Sequence, residues 1–320
     1  MYLKFAAGFL ISLVIVLIAM PPFIEFLKKL SFRQSVSEYA LEDDQKKAGT
    51  PIMGGILFII VPIVVSLILD PGEFLRLENL TVILAFAGYG LIGFIDDYLI
   101  AVKKNNEGLT PAQKFGLQLV LAIFFFLMYQ SRTDLNIIIP VTHIALPMGI
   151  LYFVLVLLMF TGSSNAVNLT DGMDGLAAGV SLIALCAYLV IAFRGGRYDL
   201  CIFIASLCGA LIGYLYYNKK PARVFMGDTG ALALGGVLAA IALVTKTEIC
   251  LILIAGVPVI ETLCVIIQQV SVRTVHKRVF RYTPIHYAFR LRGMSEKNIV
   301  YMFWIAEAVL ACIGLWAALV

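Results

Sequence analysis

Long apolar runs alternate with short polar connections along the whole chain. Ten of these runs approach the ~20 residues that an α-helix needs to cross the hydrocarbon core of a bilayer. We therefore predict an all-α integral membrane protein of about ten transmembrane helices, forming a single domain over residues 1–320. The predicted spans are Leu3–Leu27, Ile52–Leu69, Thr81–Ala101, Phe115–Tyr129, Met148–Phe160, Gly175–Phe193, Leu200–Tyr217, Ala231–Val244, Ile249–Val270 and Ile299–Val320.

The connection between the fourth and fifth runs has a different pattern. Residues 136–139 are mostly β-branched, and Pro140 and Pro147 bracket the return of the chain. Because β-branched residues favour strands and proline is common where a strand ends, residues 131–147 are predicted to contain a small β-hairpin on the outer side of the membrane.

Composition supports the membrane class and excludes three others. Hydrophobic residues make up 61% of the chain, charged residues make up 14%, and the mean hydropathy is +0.97. A soluble domain has about 45–50% apolar and about 25% charged residues. Disordered chains are poor in apolar residues, and nucleic-acid-binding proteins carry a concentrated basic surface on a polar body. The chain fits none of these descriptions.

Lysine and arginine are unevenly distributed over the predicted loops. With ten spans both termini fall on one side, and 18 of the 24 Lys and Arg residues lie in the loops on the other side. Cytoplasmic loops of membrane proteins carry an excess of these two residues. We therefore predict that both termini are extracytoplasmic and that the larger, basic loops lie in the cytoplasm.

Five aspartates fall at the predicted cytoplasmic ends of spans. Asp96 and Asp97 end the third run, Asp171 and Asp174 precede the sixth, and Asp228 precedes the eighth. A carboxylate at the edge of the hydrocarbon costs free energy unless it is hydrated, paired or bound to a metal. Each one alone could be a hydrated helix end or an N-cap. Their convergence on one face favours a single functional site.

The chemistry of these positions suits phosphoryl transfer. Hard oxygen donors without a cluster of His or Cys favour Mg²⁺, with Mn²⁺ as the alternative, over zinc. Basic and amide side chains in or beside the same loops are Lys47, Lys104, Lys114, Asn165, Asn168 and Asn218. Carboxylates, a divalent ion and lysines are the parts that bind and transfer a phosphoryl group. At a membrane face, they predict that one substrate is a lipid.

Two further motifs lie at the same predicted face. In NLTDGMDG, the residues Asn168, Asp171 and Asp174 are three apart, which predicts one shared helical face. In TPIHY, His286 is either a solvated or helix-ending residue or a group that contacts the reacting phosphate.

Five motifs together resemble the phospho-N-acetylmuramoyl-pentapeptide transferase family, and they occur in the family's order over essentially the whole chain. They are GTPIMGG at 49–55, FIDDY at 94–98, NAVNLTDGMDGLAAG at 165–179, FMGDTGALALGG at 225–236 and TPIHYAF at 283–289. The resemblance implies transfer of phospho-MurNAc-pentapeptide from UDP-MurNAc-pentapeptide to undecaprenyl phosphate, which yields lipid I and UMP in peptidoglycan biosynthesis. It also implies Mg²⁺, a bacterial plasma-membrane location and a homodimer.

The resemblance further implies roles for single residues. Asp228 would be a Mg²⁺ ligand, Asp97 would lie next to the ion and the diphosphate, and Asp96 would be a catalytic carboxylate facing the lipid phosphate. His286 would be the fourth catalytic residue. The positions that would contact the substrates are Lys47, Lys104, Lys114, Asn165, Asn168, Asp171, Asp174, Asn218 and Phe225, with the Phe225 ring stacked on uracil.

The chain departs from the family pattern after His286, where Tyr287, Ala288 and Phe289 follow instead of a run of histidines. Two other functions stay open. A sibling enzyme would transfer GlcNAc-1-phosphate to the same lipid. An ion-coupled transporter would also place carboxylates in a bundle, but near mid-span and in paired repeats. For the transferase, we predict direct attack by the lipid phosphate rather than a covalent aspartyl intermediate.

Overall fold

A computed structural model of the protein describes residues 2–30, 49–103, 108–132 and 134–320. The described residues form thirteen α-helices, one short 3-10 turn and one two-stranded sheet. The helices are α1 (Tyr2–Lys29), α2 (Gly55–Leu69), α3 (Pro71–Phe74), α4 (Leu77–Lys103), α5 (Pro111–Tyr129), α6 (Ile150–Thr170), α7 (Leu176–Arg194), α8 (Tyr198–Asn218), α9 (Gly227–Thr245), α10 (Leu251–Ile254), α11 (Gly256–Val275), α12 (Ile285–Arg290) and α13 (Glu296–Leu319), and the strands are β1 (Asn136–Ile138) and β2 (Ala145–Pro147).

Nine of the described helices are long and apolar enough to cross a membrane, which confirms the prediction of an all-α, multi-pass protein. Each predicted span has a helix at its position. The second span is shorter than predicted, because α2 begins only at Gly55 and has 15 residues.

The fifth span is longer than predicted. Its apolar core ends at Phe160, but α6 continues to Thr170 over 21 residues. Two threonines in this extension bond within the helix, since the hydroxyls of Thr161 and Thr170 donate to the carbonyls of Leu157 and Ala166 at 2.7 and 2.8 Å. Hydroxyl side chains that bond back to the preceding turn can stay in a helix interior.

The ninth span is broken at Ala255 into α10 and α11. Pro258 lies in the first turn of α11 and has no N–H to continue a helix from α10. The N–H of Val257 instead donates to Glu307 of α13 at 2.7 Å. The break is therefore stabilised by a carboxylate from a neighbouring helix.

Helix α9 lies at the centre of the bundle. It packs against α2, α4, α6 and α7, and it is the most buried of the nine long helices in the described chain. Its sequence between Gly230 and Ala240 is rich in Gly and Ala, which lets neighbouring backbones approach closely.

The two ends of the bundle differ. At one end, here called the hairpin end, β1 and β2 pair antiparallel with Ile137 opposite Leu146, which confirms the predicted hairpin. The start of α1 is held there by a 2.9 Å salt bridge from Lys4 to Asp70, and the end of α13 by a bond from the Val141 N–H to the Ala317 carbonyl. The opposite end, here called the site end, carries the five aspartates.

Candidate functional site

Two aspartates from different helices share one lysine at the site end. Asp96 lies in the last turns of α4, Asp228 in the first turn of α9, and Lys114 in the first turn of α5. The Lys114 ammonium is 3.0 Å from Oδ2 of Asp96 and also contacts Oδ2 of Asp228. The other oxygen of Asp96 accepts the Leu109 N–H at 2.6 Å. The structure thus places carboxylates that are far apart in sequence around one cation.

Asp97 holds the N-terminus of α9. Its Oδ1 accepts the Asp228 N–H at 3.1 Å, and its Oδ2 accepts the N–H and the hydroxyl of Thr229 at 3.0 and 2.6 Å. A carboxylate is favourable here because the first N–H groups of a helix lack internal partners and the helix dipole is positive at this end. Gly93 makes the approach of α4 possible, since a Cβ at this position would collide with the Asp228 backbone. Asp97 therefore fixes the position of Asp228.

These carboxylates fit a divalent cation that keeps most of its water. In the described part of the chain, no three His, Cys, Asp or Glu side chains form a metal cage. Mg²⁺ is usually held by one or two carboxylates together with waters and substrate phosphates, so a cage is not required. The Asp228 side chain is 22% exposed and accessible, and Lys114 already places a positive charge between Asp96 and Asp228. Asp228 and Oδ1 of Asp97, which lies beside it, are therefore suitable ligands for Mg²⁺.

Asn165 and Asn168 lie in the last turns of α6. The Asn165 amide donates to Oε1 of Gln118 at 2.7 Å and to the Thr161 carbonyl at 2.8 Å. Gln118 is four residues after Lys114 on α5, and residues at this spacing lie on one face of a helix. Asn168 is half-buried one turn beyond Asn165. The Asn165–Gln118 pair therefore extends the polar surface that begins at Lys114.

The predicted helical face through Asn168, Asp171 and Asp174 is wrong. Asp171 is the C-cap of α6, and Gly175, with a φ of 81°, precedes the next helix. A left-handed residue of this kind interrupts a helix, and glycine adopts it without steric cost. Asp171 and Asp174 therefore lie in a turn. The alternative that these aspartates are N-caps is wrong as well. The N-cap of α7 is Gly175 rather than Asp171 or Asp174, and the N-cap of α9 is Met226 rather than Asp228.

Asp174 and Asn218 join this turn to the segment that follows α8. Oδ2 of Asp174 accepts the Ala222 N–H at 3.0 Å. The Asn218 side chain accepts the Gly175 N–H at 3.0 Å and donates to the Val224 carbonyl at 2.9 Å. Both side chains are buried, and their hydrogen bonds hold residues 219–226 in place.

Phe225 lies where that braced segment meets residues 49–55. Its N–H donates to the Pro51 carbonyl at 2.8 Å, and its carbonyl accepts the Gly54 N–H at 2.8 Å. The ring is half-buried. Backbone bonds on both sides fix the ring in place, with part of its surface accessible at the site end.

His286 reaches the turn after α6 from α12. Its Nδ1 is 2.9 Å from Oε1 of Glu261 on α11, and both side chains are fully buried. Its Nε2 lies against Gly172, where a Cβ would have no room, and has no hydrogen-bond partner among the described atoms. The Tyr287 hydroxyl donates to the Gly172 carbonyl at 3.2 Å. These contacts place His286 against Gly172, the residue after Asp171 in the turn that follows α6.

All predicted site residues within the described chain lie at the site end. Lys47 and Lys104 fall outside the described residues. Four residues that hold the site were missed by sequence reasoning: Gln118, Thr229, Glu261 and Glu296. Glu296 accepts the Asp174 N–H at 3.0 Å and pairs with Lys220 at 2.5 Å. The available signal for Glu261 was a lone carboxylate inside an apolar run, where a charge is costly unless it has a partner.

Known proteins resemble this chain over nearly its whole length. The family model described as glycosyl transferase family 4 matches residues 79–246. A phospho-N-acetylmuramoyl-pentapeptide-transferase of Geobacillus sp. (strain WCH70) is 47% identical over 310 residues, which cover 96% of this chain and 95% of the relative. The protein of the same name from Bacillus subtilis (strain 168) is 45% identical, with 97% of this chain and 95% of the relative covered. The one from Anoxybacillus flavithermus is 44% identical, with 98% and 96% covered.

Proposed function

The chain belongs to the phospho-N-acetylmuramoyl-pentapeptide-transferase family and is a membrane transferase, and on that premise we propose that it transfers phospho-MurNAc-pentapeptide from UDP-MurNAc-pentapeptide to undecaprenyl phosphate. The products are lipid I and UMP, and the reaction belongs to peptidoglycan biosynthesis. The enzyme lies in the bacterial plasma membrane with its site end facing the cytoplasm, and it is a homodimer.

The observation that carries this proposal is the position of Lys114 between Asp96 and Asp228. The side chains of Lys114 and Asp228 are about one-fifth exposed, at 19% and 22%. Charges held in partly buried positions interact more strongly with a bound phosphate than the same charges in water. A cation flanked by carboxylates, at the end of membrane-spanning helices, suits the diphosphate of a soluble donor and the phosphate of a lipid acceptor.

Asp228 and Asp97 would hold Mg²⁺, which supplies charge neutralisation for the diphosphate when bound. Lys114 neutralises the phosphate oxygens on the side facing α5. Asp96, held by the Leu109 N–H and by Lys114, orients the lipid phosphate for in-line attack on the β-phosphorus of the donor. Phe225 stacks on the uracil ring, and Asp174 and Asn218 keep its segment in place.

The attack is direct in this scheme. An anionic phosphate is already a nucleophile, and the described side chains are arranged for positioning and charge neutralisation. One P–O bond to the sugar phosphate forms as the bond to UMP breaks, so one phosphoanhydride replaces another. In the absence of the lipid, labelled UMP should therefore not exchange into the donor. If labelled UMP exchanges into the donor in delipidated protein at a rate comparable to turnover, Asp96 or Asp97 acts as a covalent nucleophile.

The function is tested by incubating purified protein with UDP-MurNAc-pentapeptide and measuring the UMP released from this donor. The reaction is run with and without undecaprenyl phosphate, and with and without Mg²⁺. We expect release only when the donor, the lipid and the ion are all present. A parallel reaction with UDP-GlcNAc distinguishes the proposed activity from that of a sibling enzyme that transfers GlcNAc-1-phosphate. Release with UDP-GlcNAc and not with the muramoyl donor would overturn the proposed substrate.

A further inference from the structure

Glu261 is a fully buried carboxylate on α11 that the scheme above does not use. It makes three contacts with the start of α12. Its Oε2 accepts the Ile285 N–H at 2.6 Å, and its Oε1 accepts the His286 N–H at 3.3 Å and lies 2.9 Å from Nδ1 of the same residue. One side chain thus fixes both the backbone and the ring of His286.

The contact to Nδ1 decides which ring nitrogen faces the site. A carboxylate only accepts hydrogen bonds, so the ring must carry its proton on Nδ1, and Nε2 is left to face Gly172 in the turn that contains Asp171. Nε2 is buried and has no partner among the described atoms. A buried acceptor nitrogen without a partner costs stability, and a hydrogen bond donated by a group of a bound substrate would remove that cost.

We propose that Glu261 is a positioning residue for the transferase reaction, which holds His286 with Nδ1 protonated so that the unprotonated Nε2 accepts a hydrogen bond from a protonated phosphate oxygen (P–OH) when the substrates bind. This inference rests on the proposed function. Glu261 itself touches no substrate and acts through His286. The groups against the ring are Glu261 from α11, Tyr287 with its ring centroid 4.3 Å away, and Gly172 in the turn after α6.

Glu261→Gln keeps the size of the side chain and removes its charge. The amide has one accepting oxygen, whereas the carboxylate serves both the Ile285 N–H and Nδ1 of His286, so the ring loses its fixed acceptor. Protein labelled with ¹⁵N in the histidine rings shows which ring nitrogen carries a proton. The chain has three histidines, and His286→Ala identifies the relevant signals. We expect His286 to be protonated at Nδ1 in the parent protein and to lose that preference in Glu261→Gln. An unchanged tautomer would overturn the proposal, whether or not the protein turns over.

Turnover gives the second measurement. We expect Glu261→Gln to reduce UMP release at least about tenfold and to add no further loss to the His286→Ala variant. A purely structural role would add to the loss in His286→Ala, and that result would overturn the proposal.

The matched control is Glu307→Gln. Glu307 is also fully buried, and it lies on α13, where it accepts the backbone N–H of Val257 at the start of α11. Its replacement should leave the His286 ring signals unchanged. If Glu261→Gln does not fold, Glu261→Asp retains both accepting oxygens, and we expect His286 to stay protonated at Nδ1. A protein with His286 protonated at Nδ1 but no UMP release would contradict the proposed function and leave the Glu261 contact intact.

Discussion

Helix α9 has a lysine–carboxylate cluster at each end, and the two clusters differ in how fully their charges are matched. At the hairpin end, Lys246 donates to the carbonyls of Asp134 and Asn136 at 2.9 and 2.8 Å and to the Tyr152 hydroxyl at 3.1 Å. Glu248 lies 3.5 Å from Lys246 and accepts the Tyr152 hydroxyl at 2.5 Å. Burial lowers the pKa of Lys246 and raises the pKa of Glu248, and these contacts offset that cost.

At the site end, the described residues place two carboxylates, Asp96 and Asp228, on the single ammonium of Lys114, and a third, Asp97, on the N-terminus of α9 beside Asp228. One negative charge is matched at the hairpin end, whereas negative charge is in excess at the site end. In a matched cluster, pairing offsets the cost of burying the charges, while an unmatched cluster costs stability and is retained where a ligand completes it. The difference separates the structural end of α9 from its functional end.

The largest expected effect concerns which end of α9 faces the cytoplasm. Single cysteines replacing Arg76 or Arg194, both exposed at the hairpin end, should react with a membrane-impermeant reagent in whole cells. Cysteines replacing Lys103 or Lys219, both exposed at the site end, should react only after the cells are opened. The parent chain sets the background, because its Cys186 and Cys312 are exposed. Labelling of the second pair in intact cells would place the aspartates outside.

Asp228→Asn should nearly abolish turnover, by at least about 100-fold or 2.7 kcal/mol of barrier. The substitution removes a charge from the proposed ion site and barely changes the size of the side chain. UMP release at saturating Mg²⁺ measures the loss, and Glu248→Gln at the other end of α9 is the matched control with near-normal turnover. If Asp228→Asn keeps more than about a tenth of the parent rate, it is not an essential ligand.

His286→Ala should lower turnover by at least about tenfold, because it removes the ring nitrogen that faces the turn after α6. The measurement is again UMP release, taken across a pH series. Near-normal rates would mean that the buried ring only supports the packing of α12 against α11.

Lys246→Met should have the smallest effect on the reaction and a clear effect on stability. It removes three hydrogen bonds at the hairpin end and leaves Glu248 buried with Tyr152, so we expect a loss of about 2 kcal/mol in the free energy of unfolding. Turnover of the folded protein should stay within about twofold. Lys114→Met is the counterpart at the site end and should lower turnover at least about tenfold. A similar fall in turnover for both variants would remove the distinction between the two ends.

Local pattern was sufficient for much of this molecule. The ten spans and the hairpin follow from runs of apolar and β-branched residues, and Asp96, Asp97 and Asp228 were placed at one end because they close or open such runs. The turn at Asp171 and Asp174 was not predicted, because three-residue spacing is also what a helix shows and the φ of Gly175 is not visible in sequence.

The partners of the site residues were the least predictable part. Thr229, Gln118 and Glu296 bond to site residues 132, 47 and 122 positions away in the chain, respectively, and only packing brings them together. The break at Ala255 has the same origin, since the carboxylate that stabilises it comes from α13.

The shortness of α2 has a consequence for the surrounding lipid. Its 15 residues span about 22 Å, compared with about 30 Å for the hydrocarbon core of a bilayer. Ile60, Val64 and Ile68 on α2 are exposed in the described chain, which leaves this face available to lipid. A bilayer can adapt to a short helix by thinning around it. We therefore expect the membrane surface to be drawn inward beside residues 49–54, which would bring headgroups towards the site end and make turnover depend on the thickness of the host membrane.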